Sequence, residues 1–596
     1  MNRADPNTVT QGPTKWRRRK PRRNSFAIRS IRPNSKRLDW GPSRNRSSGI
    51  ATCLSGTNGP CSCGGGLVSG MVMDPCYDQI AWRRRGSIRY HSMMTTILSE
   101  GVWTEVDGGN DTFHAIDPST GERIEPAYPV CSWSDLDRMA VASAAAVGHP
   151  ANQEPERIAR FLEGYATRLD ARRDAIATMA HRETGLPCEP RLRVIEFDRM
   201  LGQLRQAADA ARDVGADSWR SPIIDEATGI HSDRGPLGGA VLTIGPNNFP
   251  LAFHGVSGGD FGSAIAAGNP VIAKGHPLHP GTGAMLAACA AEAVADAGLH
   301  PATVQFFHHC TPEDGLRLIA HPAVAAVGFT GSRSAGLAIK AAADATGKPS
   351  FLEMSSVNPV FALPGAVSGD AVGIGEAWAG SILMGAGQFC TKPGIMIAIG
   401  DDAKKLLDAA ISTCGSAALG VLFSAEASRA LESGITAMIE AGADVHCGGN
   451  PAHPGNRFEP TLLSVDAPRF LERFEVLSAE RFGPVGLFVT ASDVDEAVAI
   501  ADRLEGQLTV TMYTGDGDDD AWDRLAAVLR SRCGRLLENK MPTGVAVVPS
   551  MVHGGPHPAT GHPGFTAVGM PTSIGRFSMA RCWDGVAAGR LPDWLR

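Results

Sequence analysis

Aromatic residues are scarce in this 596-residue chain, and long apolar runs are absent. Phe, Trp and Tyr make up 6% of the residues, with 5 tyrosines against 69 glycines. This balance argues against a sandwich of aromatic-rich strands and favours the small-residue packing of an α/β protein. No apolar stretch approaches the roughly 18 residues that cross a bilayer, and none has the form of a secretory signal. We therefore expect a soluble protein of two or three domains without a membrane partner.

Acidic residues are nearly missing from the first 94 positions. That segment carries 18 Lys and Arg but 4 Asp and Glu, whereas the remainder carries 38 and 58. Its runs "RRRKPRR" and "RPNSKR" could bind nucleic acid or a membrane surface. A solvated, disordered extension explains them more simply, so we expect no nucleic-acid partner. The pair Met93-Met94 directly precedes domain-like text and is a candidate translation start.

Paired cysteine motifs are also missing, although the chain has 13 cysteines. The four in the basic extension match no common zinc spacing, and we predict no metal site. An odd number of scattered thiols is typical of a reducing compartment, which predicts a cytoplasmic protein. The four residues are Cys53, Cys61, Cys63 and Cys76.

Helical periodicity begins near residue 95. "DLDRMAVASAAAVGHP", "PERIARFLEGYATRLDARRDAIATMAHRETG" and "RLRVIEFDRMLGQLRQAADAARDVG" each place apolar residues three and four apart, which predicts three helices. The second ends at a glycine, as helices often do. Residues 213–235 lose this period and predict an extended hairpin.

Apolar strands then alternate with helices. "GGAVLTIGP", "NPVIAKGHP", "TVQFFHH" and "VAAVGFTGS" read as strands, and the segments between and after them as helices. Such an alternation predicts a parallel sheet covered on both faces. A second α/β alternation, over residues 353–545, predicts a second domain.

Polar residues stand where the predicted strands end. Asn248 follows the first strand, Lys274 ends the second, and Gly331, Ser332 and Gly336 form a strand-to-helix turn. Because ligands of parallel sheets bind at the carboxyl ends of the strands, these residues favour a nucleotide site. Each turn taken alone is equally consistent with packing glycines, since the full G-x-G-x-x-G spacing is missing.

Two residues are candidate catalytic groups. Cys390 lies in the glycine-rich, uncharged stretch "GAGQFCTKPG", and Glu353 follows the apolar approach "SFLEMSS". A lone cysteine is more often inert than reactive, and a lone glutamate is more often a surface cap than a base. The residues alone leave both alternatives open.

The order of six motifs favours a catalytic role for both residues. "GPNNFP", "VIAKGHP", "FTGS", "LEMSSVNP", "GQFCTKPG" and "ERFGPVGLFV" resemble the aldehyde dehydrogenase superfamily from about residue 95 to the C-terminus. "HPLHPGT", "SSVNPVFALPGA", "PTGVAV" and "MVHGGPHPAT" resemble its branch of 2,5-dioxovalerate (α-ketoglutarate semialdehyde) dehydrogenases. That branch is close to NADP-dependent fatty aldehyde dehydrogenases.

The resemblance implies an α/β fold with three parts: a Rossmann-like cofactor domain, an α/β catalytic domain and a small β-strand oligomerisation arm. It also implies a homodimer or homotetramer. The expected bounds are 1–94 for the basic extension, 95–212 and 236–352 for the NAD(P)-binding domain, 353–545 for the catalytic domain, and 213–235 with 566–585 for the arm.

The resemblance also implies roles for individual residues. Cys390 would attack the aldehyde carbon, Asn248 and the Cys390 backbone N–H would hold the oxyanion, and Glu353 would activate water. Glu353 is followed by Met-Ser-Ser where the superfamily usually has Leu-Gly-Gly, a departure that the 2,5-dioxovalerate branch tolerates. The expected cofactor residues are Lys274, Gly331, Ser332, Gly336, Glu480 and Phe482.

The resemblance further suggests the cofactor and the substrate contacts. Pro277 stands where NAD-preferring members often carry a glutamate, which slightly favours NADP over NAD. A far carboxylate on the aldehyde would need a cation from the helix "EFDRMLGQLRQ". The expected substrate residues are Arg199, Gln203, Arg205 and Phe253. Surface salt bridges of Glu196 with Arg199, or of Asp198 with Arg205, are equally plausible for that helix.

The small-molecule substrate is therefore expected to be an aldehyde. The leading hypothesis is oxidation of 2,5-dioxovalerate to 2-oxoglutarate, and the alternative is oxidation of medium- or long-chain fatty aldehydes. A non-catalytic relative is disfavoured because Cys390 and Glu353 are both present. A CoA-acylating relative is disfavoured because it would not need the glutamate.

Overall fold

The structure is a computed structural model that describes residues 93–107, 111–564 and 567–596. The basic extension with its four cysteines lies outside these residues, and so does residue 566 of the predicted arm. Met93 and Met94 are described. Both are buried, and Met94 packs into a hydrophobic core, so these two residues belong to the folded protein and not to the extension.

Twenty-three strands occur in the described residues. They are β1 Ile97–Ser99, β2 Val102–Thr104, β3 Thr112–Ile116, β4 Arg123–Cys131, β5 Ile223–Asp225, β6 Ile230–Pro236, β7 Ala240–Ile244, β8 Val271–Lys274, β9 Val304–Phe307, β10 His309–Cys310, β11 Val324–Thr330, β12 Ser350–Glu353, β13 Val360–Ala362, β14 Ile395–Ile399, β15 Gly420–Val421, β16 Asp444–Cys447, β17 Pro451–Ala452, β18 Arg457–Phe458, β19 Thr461–Asp466, β20 Val485–Ala491, β21 Gln507–Tyr513, β22 Cys533–Glu538 and β23 Ser578–Asp584.

The α-helices of the same residues are α1 Trp133–Ala146, α2 Pro150–Gln153, α3 Pro155–Asp170, α4 Arg173–Thr184, α5 Phe197–Arg212, α6 Gly259–Ala266, α7 Pro280–Ala297, α8 Pro312–Ala320, α9 Arg333–Asp344, α10 Pro364–Leu383, α11 Ala403–Gly415, α12 Ala425–Glu440, α13 Ala467–Glu472, α14 Phe474–Leu477, α15 Val494–Arg503 and α16 Asp519–Leu529. A π-helical segment, Cys188–Glu196, leads into α5.

The first large sheet has the strand order β12-β11-β7-β8-β9-β1-β2. Strands β12 to β9 are parallel, and the predicted alternation of strands and helices over this segment is confirmed. Its strands are apolar and buried because helices cover both faces, as expected for a parallel sheet. Thr330 pairs with Glu353, Phe329 with Ile244, and Ile244 with Lys274, so the strand ends lie at one edge.

The second large sheet has the order β16-β19-β20-β14-β13-β21-β22 and is parallel apart from β16. It confirms the α/β alternation predicted over the second half of the chain. Its central strands β13, β14 and β20 are buried almost throughout and pack into two separate cores, one on each face.

A small three-stranded sheet, β23-β6-β5, joins two distant segments of the chain. β5 and β6 form the predicted hairpin, and β23 pairs with β6 from Ser578 to Asp584. Asp233 of β6 accepts hydrogen bonds from Arg581, Trp583 and Trp594, which fixes the return strand against the hairpin.

The predicted long helix after Pro155 is wrong in one respect. The segment forms two helices, α3 and α4, because Arg172 leaves helical geometry at φ −116° and ψ 15°. Its guanidinium instead binds Glu292 of α7 through two contacts of 2.9 Å. Gly185 ends α4 in the left-handed conformation, as the glycine there predicted.

No described helix is both long enough and apolar enough to span a membrane.

Candidate active site

The carboxyl edge of the first sheet gathers four of the polar segments that the sequence singled out. Glu353 ends β12, Gly331 follows β11, Asn248 comes four residues after β7, and Lys274 ends β8. Ser332 caps α9 by accepting a hydrogen bond from the Ala335 backbone N–H at 3.3 Å. This convergence follows from parallel strand pairing, which places all strand ends of one kind together.

The loop before β14 brings Cys390 to this edge from the second sheet. Gly385, Ala386 and Gly387 all have left-handed backbones, with φ of 59°, 55° and 68°. A Cβ on Gly387 would lie 2.0 Å from the Gly483 carbonyl oxygen. Glycine is therefore required at 387 both by conformation and by space, and this tight turn sets the direction of Cys390.

Asn358 holds the other side of the cysteine loop. Its side-chain amide donates to the carbonyl oxygens of Cys390 at 2.9 Å and Lys392 at 3.0 Å. The residue is itself held in a left-handed conformation, with φ of 50°. A buried side chain that satisfies several backbone groups at once restricts the loop to a single position.

Three side chains meet at the centre of the site. His553 Nε2 lies 3.5 Å from Cys390 Sγ and 3.0 Å from Glu353 Oε1. The sulfur, nitrogen and carboxylate atoms all lie within 4.8 Å of one another. The side chains of His553 and Glu353 are 0% and 3% exposed. Glu353 is therefore not the surface helix cap that its sequence context allowed.

The electrostatics of this triangle favour a charged carboxylate and a neutral thiol. Burial, and then the neighbouring Glu353 carboxylate, raise the pKa of the Cys390 thiol well above its ordinary value. Burial acts most strongly on Glu353 and would raise its pKa, but His553, Cys390 and Arg199 together leave that pKa lowered. Cys390 thus needs a proton acceptor or a hydrogen-bond donor before it can react as a thiolate.

Asn248 is buried beside the cysteine loop. Its side-chain amide donates to the Gln388 carbonyl oxygen at 2.9 Å, and its own carbonyl accepts from Arg191 at 3.0 Å. Arg191 is in turn paired with Glu196, whose other carboxylate oxygen accepts from the backbone N–H groups of Leu251 and Ala252. This network fixes the side-chain amide of Asn248 against Gln388, which lies two residues before Cys390.

Arg199 lies with its guanidinium over the Phe253 ring, 5.0 Å from the ring centroid. Nη1 donates to the Val545 carbonyl oxygen at 2.6 Å. Among the described residues, Nε and Nη2 are buried and have no hydrogen-bond partner. Burial lowers the pKa of Arg199, and the charges of Cys390, Glu196 and Glu353 oppose that shift. A buried cation with two free donors is costly unless a ligand pairs with it.

Two other polar residues of this helix have different surroundings. Arg205 is exposed. Gln203 is buried and donates to the Ala252 carbonyl oxygen at 2.9 Å, so its amide supports the loop after Asn248. The suggested surface pairs are wrong, because Glu196 binds Arg191 and Asp198 binds Arg173.

Glu480 and Phe482 precede β20, next to the loop of Cys390. Burial raises the pKa of Glu480 to about 7. Hydrogen bonds from Ser355 and Ser356 and the charge of Lys392 act to lower it but do not outweigh the burial. Phe482 packs on the core beneath the first sheet. Glu480 thus borders the turn after Glu353.

Lys274 and the glycines of the turn after β11 lie further along the same edge. Lys274 Nζ donates to the Gly275 carbonyl oxygen at 3.1 Å, and burial lowers its pKa. A Cβ on Gly331 would lie 2.6 Å from the Phe329 ring, and one on Gly336 would lie 2.6 Å from Met354 Sδ. These glycines are therefore required by packing as well as offering backbone N–H groups.

Sequence reasoning missed His553, Asn358, Arg191 and Lys392. His553 lies in "MVHGGPHPAT", which served as a marker of the branch without a role for the histidine. Lys392 is buried and donates to the carbonyl oxygens of Arg481 and Val485 at 2.7 and 2.9 Å. The adjacency of Lys392 to Cys390 was the only local signal for it.

A partly buried thiol held against a carboxylate at the carboxyl edge of a parallel α/β sheet is the arrangement of an enzyme with a nucleophilic cysteine. The sequence profile described as the aldehyde dehydrogenase family matches residues 103–561. The chain belongs to the aldehyde dehydrogenase family.

Similar proteins support this assignment along most of the chain. Alpha-ketoglutaric semialdehyde dehydrogenase 2 of Azospirillum brasilense is 37% identical over 507 residues, which cover 82% of this chain and 94% of that protein. Alpha-ketoglutaric semialdehyde dehydrogenase of Acinetobacter baylyi is 32% identical over 477 residues, covering 78% and 88%.

Solved structures show the same fold at lower identity. A mutant of aldehyde dehydrogenase C from Pseudomonas syringae, complexed with NAD+ and octanal, has a TM-score of 0.70 at 23% identity, covering 84% of this chain and 98% of that one. Aldehyde dehydrogenase KauB from Pseudomonas aeruginosa has a TM-score of 0.71 at 21% identity, covering 82% and 96%.

Proposed function

We propose that this protein oxidises 2,5-dioxovalerate to 2-oxoglutarate with NAD(P)+ as the oxidant. The observation that carries the substrate is Arg199, a buried guanidinium whose Nε and Nη2 have no partner among the described residues. Its charge acts on both Cys390 and Glu353, so it lies near the reacting groups. A substrate carboxylate can accept two parallel hydrogen bonds from such a fork. The two similar semialdehyde dehydrogenases support the same substrate class.

In the proposed first half-reaction, the Cys390 thiolate adds to the aldehyde carbon and the carbonyl electrons move to oxygen. The Asn248 amide and the Cys390 backbone N–H stabilise this oxyanion. A nicotinamide cofactor would supply the acceptor for the hydride lost from the same carbon, which leaves Cys390 carrying a thioester. The Asn248 amide is suited to this role because its contact with Gln388 holds it beside the cysteine loop.

In the second half-reaction, Glu353 takes a proton from water, and the resulting hydroxide attacks the thioester carbon. The C–S bond breaks, which releases the acid product and regenerates the Cys390 thiolate. The lowered pKa of Glu353 keeps its carboxylate charged and able to accept that proton. The division into a cofactor domain and a catalytic domain, which meet at this site, remains part of the proposal.

The residues along the strand ends fit a nicotinamide dinucleotide. Glu480 would accept hydrogen bonds from the nicotinamide ribose, with Phe482 beside the ring. Ser332 and the backbone of Gly331 and Gly336 would hold the pyrophosphate at the start of α9, where the helix dipole favours an anion. Lys274 would bind the adenine ribose, since among the described residues its amine donates only to the Gly275 carbonyl oxygen.

NADP is the favoured cofactor because no carboxylate opposes a 2′-phosphate at position 277. The neighbouring rings of His276 and His279 stack at 4.9 Å. Burial lowers the pKa of His276 well below its ordinary value, so this ring offers hydrogen bonds and not charge. Pro277→Glu should raise the KM for NADP more than the KM for NAD. Added repulsion would cost about 1–3 kcal/mol after screening. A wild-type enzyme that uses NAD alone would contradict this assignment.

A homodimer or homotetramer, formed through the small sheet, is proposed as the assembly. Its strands expose four apolar side chains, which favours an interface. They are Ile223, Ile224, Ile230 and Met579, at 63%, 47%, 42% and 45% exposure. The nine described cysteines are all free thiols, which is compatible with the proposed cytoplasmic location.

A fatty aldehyde is the second candidate substrate because aromatic rings border the cysteine loop. Phe249 meets Phe253 at 5.0 Å and Phe389 at 5.3 Å, both edge to face. Such a wall suits an alkyl chain. The cation of Arg199 distinguishes the two substrates, because an alkanal has no group to pair with it.

The test compares kcat/KM for 2,5-dioxovalerate, hexanal and decanal in the wild type, Arg199→Met and Arg205→Met. Arg205 is the matched control, since it lies on the same helix but is exposed. Arg199→Met should raise the KM for 2,5-dioxovalerate by about 30-fold or more, the usual effect of removing one partner of a buried charge pair. Turnover of hexanal should be spared. Equal losses on both substrates would assign Arg199 a structural role, and a preference of the wild type for decanal would favour the fatty-aldehyde reading.

A further inference from the structure

His553 contacts both reacting side chains, and the proposed mechanism does not use it. Its side chain is fully buried between Cys390 and Glu353. The three residues come from distant parts of the chain, 163 and 200 residues apart. Neither a packing role nor a surface salt bridge explains why one ring nitrogen lies between a nucleophile and a base.

The position of the hydrogen on this ring follows from the geometry. Nε2 lies 3.0 Å from Glu353 Oε1, a hydrogen-bond distance. Two lone pairs facing each other at that distance would repel, and the lowered pKa of Glu353 keeps the carboxylate charged. Nε2 must therefore carry the hydrogen, which is an assignment from the hydrogen-bond pattern. The same N–H has Cys390 Sγ within 3.5 Å.

Several charged groups act on Cys390 from the surrounding elements. Arg199 of α5 acts to lower the pKa of the thiol, whereas Glu353 of β12 and Glu480 act to raise it. Arg535 of β22 also interacts with the cysteine. The cavity that borders Glu353 and His553 is further lined by the titratable residues Asp260, His562 and Arg576. Among the described residues, it is His553 whose Nε2 lies at hydrogen-bonding distance from Cys390 Sγ, at 3.5 Å.

We propose that His553 is a catalytic residue whose Nε2–H stabilises the Cys390 thiolate by hydrogen bonding, switching between Glu353 and the sulfur as negative charge moves between them. In the resting state the N–H donates to the Glu353 carboxylate. When the thiol proton passes to Glu353, the carboxylate loses its charge and the sulfur gains it. The N–H then donates to the thiolate, and His553 keeps its proton throughout.

The same donor acts again when the thioester is hydrolysed. Glu353, once it has returned its proton to solvent, takes a proton from the attacking water. The C–S bond breaks with its electron pair on sulfur, so a thiolate leaves. His553 Nε2–H stabilises this leaving group, just as it stabilised the nucleophile. The inference rests on the proposed function only in its use of Cys390 as the nucleophile, whatever the aldehyde is.

The test is the rate at which iodoacetamide alkylates Cys390, measured against pH without any aldehyde. The variants are His553→Leu, which removes the donor, and His553→Gln, which keeps an N–H donor without an imidazole ring. His553→Leu should slow alkylation near pH 7 by about 10- to 100-fold, as expected for losing a hydrogen bond to a charged group. The pH midpoint should rise, the plateau at high pH should not change, and His553→Gln should recover most of the rate.

Three outcomes would overturn the proposal. One is an unchanged pH midpoint in His553→Leu, with folding confirmed by thermal unfolding and cofactor binding. The second is a His553→Gln variant as slow as His553→Leu, which would mean that a ring and not a donor is required. The third is a metal ion at one equivalent in the purified active protein, since Cys, His and Glu atoms this close could be its ligands. The assay contains no substrate, so a wrong substrate assignment would alter turnover without altering this result.

Discussion

Glu480 is a residue of the proposed cofactor site whose charge changes near neutral pH. Its pKa of about 7 is raised by burial, so the carboxylate is charged above that pH and neutral below it. If it accepts hydrogen bonds from the ribose of the cofactor, as proposed, affinity is full above pH 7 and falls as the group is protonated. The affinity for the cofactor therefore rises with pH, because the charged carboxylate is the form that accepts the hydrogen bonds.

We therefore expect the Kd for NAD(P)+ to rise by about 3- to 10-fold between about pH 8 and about pH 6. Fluorescence titration with the purified enzyme measures this. Glu480→Gln is the matched variant, because it keeps the shape and one acceptor but cannot titrate, and its Kd should stay constant over the same range. A wild-type Kd without pH dependence would remove Glu480 from the cofactor site.

The site residues that the sequence did not predict are those that meet Cys390 only in the folded structure. The resemblance placed Cys390 and Glu353 through their motifs, and the strand pattern placed Asn248 and Lys274 at strand ends. His553 and Asn358 lack such a signal, because each reaches Cys390 only through the folded chain. Helical spacing could not choose between Arg199 and Arg205, because it tells which residues share a face and not which face meets the site.

The turn before Cys390 is the element on which the site most depends. Gly387 combines a φ of 68° with a backbone contact that leaves no room for a Cβ. Gly347 has a similar φ of 70°, but nothing lies within 4 Å of where its Cβ would be. A side chain at either position would adopt an unfavourable left-handed backbone. Only at position 387 would its Cβ also collide with a neighbouring backbone atom.

Gly387→Ala and Gly347→Ala should thus separate these two effects. Each should lose about 1–2 kcal/mol of unfolding free energy from the left-handed backbone. Gly387→Ala should lose more than Gly347→Ala, and its kcat should fall by at least about 10-fold, because the loop must move by more than the tolerance of an aligned nucleophile. Thermal unfolding and turnover provide the readouts. Equal activity in the two variants would show that the loop can relax.

Periodicity predicted the elements of both large sheets because buried parallel strands are nearly all apolar over four to seven residues. It did not predict the break at Arg172, which depends on a partner in another helix. The π-helical entry to α5 was also invisible, since its residues keep a helix-like spacing. The spacing of apolar residues thus predicted helices and strands, but not the places where a helix is broken or changes its geometry.

At the scale of the whole molecule, Met93 and Met94 are part of the packed protein. Met94 is fully buried in a core, and Met93 is nearly so. Cutting the chain before Met93 therefore removes none of the described packing. The order of strands within each sheet, by contrast, had no counterpart in the sequence, because it is fixed by long-range contacts.

Deletion of residues 1–92 should leave the midpoint of thermal unfolding within about 2 °C of the full-length protein and kcat/KM within about 2-fold. A further cut that removes Met93 and Met94 is the control, and it should lower the midpoint because it takes a buried side chain out of the core. If deletion of residues 1–92 alone abolished folding or activity, part of that segment would belong to the catalytic unit.

The covalent intermediate on Cys390 tests the central claim most directly. Glu353→Gln should still form the thioester, because the thiol proton of Cys390 can also pass to solvent, but should release it slowly, because hydrolysis needs the carboxylate as a base. Rapid mixing of this variant with NAD(P)+ and 2,5-dioxovalerate, followed by acid quench and peptide mass spectrometry, should show one acyl group on the peptide of Cys390 and a matching burst of NAD(P)H. An NAD(P)H burst without an adduct, or an adduct on another residue, would contradict the account.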